Sequence, residues 1–287
     1  MFLCETNLLY VILTIMEKYK ALLVDFDGTL ANPHTGEVDL TLKNAILEIM
    51  QKGYLVSIAT GRPYWGRIRE VCADFGLTSP QIVHGGAEIR DPKDGSILWG
   101  KYLQDSDLKD IIQYLLKTHV YFSVEKDSDV YTPDGKESIY RRSYNFKKVS
   151  ELTARNIPKI VVPSIMNTLS FEAMEKIIKD LESMFKNIHI IKGKIGDHFG
   201  FDITSGEATK HTAALEYMKM LGLDPDEVVG VGDGYNDYPL LTACGVKVAM
   251  GDAPQELKNI ADMVAPSWET HGLREVIQKY FEPPIND

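Results

Sequence analysis

Two pairs of carboxylates, Asp25 with Asp27 and Asp233 with Asp237, each follow a short apolar run of the sequence. Gly28, directly after the first pair, permits the chain to turn sharply there. Four carboxylates gathered at one place would repel one another unless a hard cation lay among them. Mg²⁺ prefers oxygen ligands and keeps some of its waters, so this set of residues predicts a magnesium site.

The two apolar runs have the character of buried parallel strands. They cover residues 20–25 (KALLVD) and 228–232 (VVGVG). Near-continuous runs of this length are typical of strands that are covered on both faces. Because open α/β sheets bind ligands at the carboxyl ends of their strands, we expect both acid pairs at one edge of one sheet.

Helical and strand-like segments alternate around both acid pairs. A helical face at 42–50 ends at Gly53, a strand follows at 54–59, and a helical face at 65–75 leads to a short strand at 81–83. The same alternation returns from residue 209, with a helix that ends before Gly222 and strands at 228–232 and 246–250. This order predicts an α/β fold with a doubly wound, mostly parallel sheet.

The middle of the chain differs and predicts an inserted α+β domain. A hairpin is expected at 87–99 around Asp94-Gly95, a strong turn pair. Helices are expected near 106–117 and 171–185, strands near 121–130, 157–162 and 188–192, and a long polar connection at 132–155. The predicted domains are therefore an N-terminal extension (1–15), a core in two pieces (16–85 and 195–287) and the inserted domain (86–194).

Composition excludes several classes of protein. With 31 basic and 41 acidic residues the net charge is −10, which disfavours nucleic acid or an anionic membrane as the main partner. A hydrophobic fraction of 44% excludes wholesale disorder. The 3 cysteines form no CxxC, which argues against a disulfide framework or a cysteine zinc site and favours a cytoplasmic location. No feature indicates an oligomeric state.

The N-terminal extension contains an apolar run at 8–15. It is far shorter than the ~20 residues that a membrane span requires. No basic residue precedes it and no small-residue cleavage site follows it, so a secretory signal is not expected. We expect an extra strand or a poorly ordered arm, with a translation start at Met16 as the other interpretation.

The acid pairs belong to a set of four motifs that resembles the haloacid dehalogenase (HAD) superfamily of phosphotransferases. The resemblance covers the chain from about Tyr19 onward, and its motifs are DxDGT at Asp25, Asp27, Gly28 and Thr29, a strand-end Thr60, a helix-start Lys210, and GDxxND at Gly232, Asp233, Asn236 and Asp237. The large insertion between the second and third motifs looks like the Cof-type, or IIB, branch. That branch usually has Asn-Gly where this chain has His84-Gly85.

The resemblance implies a mechanism for the acidic residues. Asp25 would be the nucleophile that forms an aspartyl-phosphate, and Asp27 would act as general acid and then as general base. Mg²⁺ would be held by the Asp25 carboxylate, the backbone carbonyl of Asp27, and Asp233. Asp237 would be either a further ligand or a residue that orients the others.

The resemblance also implies roles for residues around the phosphate. Thr60 and the backbone amide of Gly61 would donate hydrogen bonds to the phosphoryl group, and Lys210 would offset its charge. Further candidates for phosphate or substrate binding are Thr29, Arg62, His84 and Asn236. Two of these have an alternative role: Arg62 either steers anions or pairs with an acid, and His84 either contacts substrate near a hinge or is buried and hydrogen-bonded.

The expected function is Mg²⁺-dependent hydrolysis of small phosphorylated metabolites, such as sugar phosphates or phosphorylated cofactors. A phosphosugar mutase is the alternative within enzymes, because phosphomannomutases share this type of inserted domain. A receiver-like signalling module or a non-catalytic phosphate-binding protein is the alternative of another class. The insertion argues against the receiver, and the complete set of motif residues argues against an inactive protein.

Overall fold

The computed structural model describes residues 18–136, 144–167, 169–195 and 198–282. The predicted N-terminal extension lies outside these residues. Within them, no helix combines the length and the apolar character that crossing a membrane requires.

The strands are β1 (Ala21–Val24), β2 (Leu55–Ile58), β3 (Gln81–Val83), β4 (Glu88–Arg90), β5 (Ile97–Gly100), β6 (Ser123–Lys126), β7 (Asp129–Thr132), β8 (Asn145–Lys148), β9 (Lys159–Val162), β10 (Ile188–Ile195), β11 (His198–Ser205), β12 (Val228–Gly232), β13 (Val246–Ala249) and β14 (Met263–Val264). The α-helices are α1 (Leu40–Gln51), α2 (Arg69–Phe75), α3 (Asp105–Lys117), α4 (Phe171–Met184), α5 (Lys210–Leu221), α6 (Tyr238–Ala243), α7 (Gln255–Ile260) and α8 (Gly272–Phe281).

The core is a five-stranded sheet in the order β14-β13-β12-β1-β2, and every pair in it is parallel. β1 and β12 are neighbours, with Val24 opposite Val231, although some two hundred residues separate them in the chain. The two acid pairs therefore follow adjacent strands at the same edge of the sheet. This confirms the predicted doubly wound fold.

Helices cover both faces of the core sheet, and the side chains of β1 point alternately to one face and the other. Leu22 and Val24 belong to the same apolar cluster as the buried sides of α1, α2 and α8. Ala21 and Leu23 belong to a second cluster, which includes the buried sides of α5 and α6. All four side chains are fully buried, which accounts for the unbroken apolar run in the sequence.

A three-stranded antiparallel sheet, in the order β3-β4-β5, adjoins the core sheet through an isolated parallel bridge between Ala59 and Ile82. It contains the predicted hairpin, with Gly95 at φ 78° in the turn. The structure differs from the sequence prediction in the helix expected at 65–75, which begins only at Arg69. Trp65 has an extended conformation and Gly66 has φ 79°, so the chain is not helical there.

The inserted domain, called the cap below, contains a six-stranded sheet in the order β10-β11-β9-β6-β7-β8. Helices α3 and α4 contribute their buried residues to a single apolar cluster with this sheet. Two of its strands were not expected. β11 follows the predicted boundary at 194/195 but pairs with β10 and β9, so by its pairing the insertion continues to Ser205. β8 lies in the stretch expected to be a connection and pairs in parallel with β7.

Candidate active site

Three carboxylates converge where β1 and β12 end. Asp25 extends β1, and its amide donates to the carbonyl of Val231 at 2.9 Å. Asp25 and Asp237 are buried, and Asp233 is partly exposed. One oxygen from each of the three lies within 4.8 Å of those of the others. The sheet therefore gathers acids from both ends of the chain into one cluster.

Lys210 lies inside this cluster. It is the first residue of α5, a helix whose start is fixed by Thr209, because the Thr209 hydroxyl accepts the amide of Thr212. Lys210 Nζ donates to Asp25 Oδ1 and to Asp237 Oδ1, both at 2.5 Å. One ammonium thus bridges two buried carboxylates.

The cluster contains three carboxylates and one ammonium, and its pKa values reflect this excess of negative groups. Burial, followed by the nearby charge of Asp237, raises the pKa of Asp25 well above its usual value despite the attraction of Lys210. The same two causes raise the pKa of Asp233 to about 7. Burial on its own would lower the pKa of Lys210, but the attractions of Asp237 and Asp25 outweigh it and raise the pKa. A further positive charge would therefore stabilise the ionised site.

The donor set fits a hard cation such as Mg²⁺. Asp237 Oδ2 accepts the backbone amides of Asp233 and Gly234 at 3.1 and 2.9 Å, which fixes the orientation of the Asp237 carboxylate. Thr29 donates to Asp233 Oδ1 at 2.8 Å. The other oxygen, Oδ2, lies over Gly28 (φ 80°), where a Cβ would come within 2.4 Å of it. Glycine at this position is what lets Asp233 approach the turn.

Asp27 is turned toward Arg62. The guanidinium donates from Nε to Asp27 Oδ2 at 2.7 Å and from Nη2 to Oδ1 at 2.6 Å, so it binds both carboxylate oxygens. Burial would lower the pKa of Arg62, but the hydrogen bonds and charge of Asp27 outweigh it and raise the pKa. Two roles were expected for Arg62, and in the structure it pairs with an acid, Asp27.

Thr60 follows β2 at the same edge of the sheet and is almost fully buried. Its hydroxyl accepts the amide of Arg62 at 3.1 Å, which shapes the turn through Gly61. Thr29 binds Asp233, as described above. Thr29 therefore contacts the acidic cluster directly, whereas Thr60 contacts Arg62, which in turn holds Asp27.

The other two candidates differ in exposure. His84 is fully buried with φ 54°, and its Nδ1 lies 2.8 Å from Glu125 Oε2 of the cap. Of the two roles expected for His84, this is the buried and hydrogen-bonded one. Asn236 is exposed in the turn, Tyr235–Asp237, that leads into α6.

Sequence reasoning missed two cap residues that contact this region. Lys159 Nζ donates to the carbonyl of Gly61 at 2.7 Å, and the Tyr144 hydroxyl donates to the carbonyl of Trp65. Lys159 opens the run KIVV, which predicts only a strand, and Tyr144 lies in a polar stretch without periodicity. Backbone carbonyls are acceptors at every position, so no residue pattern identifies such contacts.

Comparison with known proteins relates about nine-tenths of the chain to one family. The sequence matches the haloacid dehalogenase-like hydrolase family over residues 22–277. It is 26% identical over 285 residues to the phosphatase YwpJ of Bacillus subtilis, a match that spans 90% of this chain and 99% of that protein. It is 24% identical over 285 residues to the 5-amino-6-(5-phospho-D-ribitylamino)uracil phosphatase YwtE of the same organism, spanning 91% of this chain and 97% of that protein.

Solved structures share the fold. A haloacid dehalogenase-like hydrolase from Bacteroides thetaiotaomicron superposes with a TM-score of 0.77 at 19% identity. The superposition covers 92% of this chain and 100% of that one. The core and the inserted domain therefore occur together in a protein of distant sequence.

Proposed function

This chain belongs to the haloacid dehalogenase-like hydrolase family, and on that premise we propose that it is a phosphatase that hydrolyses small phosphomonoesters through an aspartyl-phosphate on Asp25, with Mg²⁺ as its cofactor. The single observation that carries the proposal is the placement of Lys210, which donates to Asp25 and Asp237 within a cluster of three carboxylates. Such a cluster is poised to accept a cation and a phosphate together.

Asp25 supports the role of nucleophile by its place and its orientation. It follows β1, which lies between β12 and β2 in the core sheet, and Lys210 Nζ holds one of its oxygens at 2.5 Å. The held carboxylate would attack phosphorus with its other oxygen, and the leaving alkoxide would depart on the opposite side. Orientation by a charged donor lowers the entropy lost when the attacking group is positioned.

Asp27 is the group proposed to move the proton. It would protonate the leaving alkoxide and then take a proton from the water that cleaves the aspartyl-phosphate. Its side chain is about one-third exposed, at 35%, and is held by Arg62 through both oxygens. The carboxylate that remains after the first step is the base needed for the second, and the proton taken from water restores the acid.

Mg²⁺ would be held by Asp25, Asp233 and the backbone carbonyl of Asp27, with Asp237 orienting the set. When bound, it supplies positive charge that shields the phosphate from Asp25 and stabilises the charge of the transition state. Thr60 and the amide of Gly61 would donate to the phosphoryl oxygens, and Lys210 would offset their charge.

Two relatives support the substrate class. YwpJ is a phosphatase, and YwtE acts on a phosphorylated ribitylamino-uracil, which is a small metabolite. We extend this to the present chain as a preference for small phosphorylated metabolites such as sugar phosphates or phosphorylated cofactors. The net charge of −10 is compatible with such substrates because the positive charge is needed only at the site itself.

A screen of phosphorylated metabolites tests the proposal. Phosphate release is measured with Mg²⁺, with EDTA, and with the Asp25→Asn variant as the matched control. We expect release that needs both Mg²⁺ and Asp25. Formation of a sugar isomer without phosphate release would indicate the mutase instead, and release that survives Asp25→Asn would refute the role of the nucleophile.

A further inference from the structure

The chain between β2 and α2 forms an irregular segment, residues 60–66, which we call the Thr60 loop. It contains Thr60 and Gly61, which are proposed to donate to the phosphate, and Arg62, which holds Asp27. Its second half is not helical, because Trp65 is extended and Gly66 has φ 79°. The backbone carbonyls of Gly61 and Trp65 therefore remain available to groups outside the helix.

Lys159 of the cap binds the carbonyl of Gly61. This residue begins β9, is only 4% exposed, and donates from Nζ to the Gly61 carbonyl at 2.7 Å. Its ammonium also lies 3.1 Å from Asp202 and 3.6 Å from Glu125. Burial would lower the pKa of Lys159, but the attractions of Asp202 and Glu125 outweigh it and raise the pKa, so the donor stays charged.

Tyr144 of the cap binds the carbonyl of Trp65. Its hydroxyl donates to the carbonyl of Trp65, four residues after Gly61. Gly66 gives the ring room, because a Cβ at that position would come within 3.1 Å of the hydroxyl oxygen. Two different parts of the cap, the residue before β8 and the first residue of β9, thus meet one core segment.

Buried ion clusters of this kind are a poor source of stability. Lys159 and Glu125 are buried and give up their hydration, whereas 26% of the Asp202 side chain stays exposed, and the attraction among the three roughly balances the cost. In this chain the group holds the Lys159 ammonium against the Gly61 carbonyl. Here the geometry fixes where the cap meets the Thr60 loop.

We propose that Lys159 and Tyr144 form a clasp that positions the Thr60 loop from the cap, and with it Arg62 and the Asp27 carboxylate that Arg62 holds. The two are positioning residues, because they contact the loop and not the acidic cluster. The clasp itself is a property of the fold, whereas its effect on turnover rests on the phosphatase function proposed above. Opening of the cap would release the loop and loosen the hold on Asp27.

Amide hydrogen exchange tests the clasp in the full-length protein without substrate. The variants are Lys159→Met and Tyr144→Phe, each of which removes one donor and keeps most of the side-chain volume. The matched controls are Lys147→Met and Tyr114→Phe, whose donors bind Asp129 and Asp180 within the cap. We expect exchange in a peptide that covers residues 60–68 to be at least tenfold faster in both clasp variants and unchanged in both controls.

Steady-state kinetics in the same four variants then tests the effect on turnover. We expect kcat to fall at least tenfold in the clasp variants and KM to rise by a smaller factor, because the loosened loop contains Arg62, which orients Asp27, together with the phosphate donors of Thr60 and Gly61. Tyr144→Phe removes a single hydroxyl, so it decides the question if Lys159→Met does not fold.

The possible failures are distinguishable. Unchanged exchange in the loop overturns the clasp, whether or not the protein is active. Faster exchange with an unchanged kcat overturns the link from the clasp to Asp27. If the wild-type protein hydrolyses no phosphomonoester in the screen, the proposed function fails, and the exchange data still decide the clasp.

Discussion

Arg62 binds both carboxylate oxygens of Asp27, at 2.7 Å from Nε and 2.6 Å from Nη2. The two residues lie 35 positions apart and follow neighbouring strands, β2 and β1. A planar guanidinium that binds a carboxylate through two parallel hydrogen bonds fixes its orientation as well as its position. The group proposed to transfer the proton is therefore oriented by the Thr60 loop.

Substitution of Arg62 by lysine keeps the positive charge and removes the paired donors. We expect kcat to fall by about 10- to 100-fold, because Asp27 loses its orientation for proton transfer. KM should change little. Steady-state kinetics of Arg62→Lys checks this, with Arg274→Lys as the control, since Arg274 pairs with Glu282 away from the site. A raised KM at unchanged kcat would instead mean that Arg62 binds the phosphate.

Gly86, in the hinge before β4, packs against the start of α5. A Cβ there would lie 2.2 Å from the carbonyl of Thr209 and 2.5 Å from the amide of Lys210. We expect Gly86→Ala to reduce the free energy of unfolding by about 3 kcal/mol or more, and to lower kcat by displacing Lys210.

Gly53 provides the matched control for this substitution. Its φ of 93° is close to the 98° of Gly86, but a Cβ at Gly53 meets no atom within 4 Å. Gly53→Ala should therefore cost only the backbone strain, about 1–2 kcal/mol, and leave kcat unchanged. Urea denaturation measures both variants. Equal losses of stability would show that contact with α5 plays no part.

The ionisation of Asp233 makes the metal-free protein sensitive to pH. Because its pKa is raised from 3.8 to about 7, the folded state binds more protons than the unfolded state between these values. The free energy of unfolding contributed by this group therefore falls as pH rises through that window. Asp233→Asn removes the titration and retains an acceptor for Thr29.

In EDTA, we expect the stability of Asp233→Asn relative to wild type to increase from about pH 5 to about pH 8. Chemical denaturation at the two pH values measures the difference. Asp25 adds to it in the same direction, because the charge of Asp233 also raises the pKa of Asp25. When Mg²⁺ is added at the higher pH, we expect the wild type to be the more stable of the two proteins, because Mg²⁺ would bind the wild-type carboxylate more tightly. A relative stability that does not change with pH would contradict the raised pKa.

The sequence was sufficient for the parts of the molecule that depend on local pattern. The runs before Asp25 and Asp233 are apolar because both faces of β1 and β12 are covered, so strands that end in acids could be predicted. Parallel strands share the edge at which they end, which brings the two acid pairs together without knowledge of the register. The hairpin at Asp94-Gly95 was predictable for a similar reason, because the turn residues themselves specify it.

The parts that depend on distant partners could not be predicted. β8 lies in a polar stretch and is a strand because β7 supplies its hydrogen bonds. β11 joins the cap sheet because β9 and β10 flank it, although its place in the sequence suggested the core. Lys159 binds a backbone carbonyl, and because every residue has one, the sequence does not indicate which carbonyl is bound.

The covalent intermediate on Asp25 is the central claim, and it can be observed directly. Asp27→Asn, which by this account slows both formation and hydrolysis of the intermediate, is incubated with a substrate from the screen and Mg²⁺, quenched in acid at a series of times, and digested for mass spectrometry. The account predicts a phosphoryl group on Asp25, in a peptide that stays unmodified when Asp25 is also changed to Asn. A phosphoryl group on another residue, or rapid phosphate release by the Asp25→Asn variant, would contradict it.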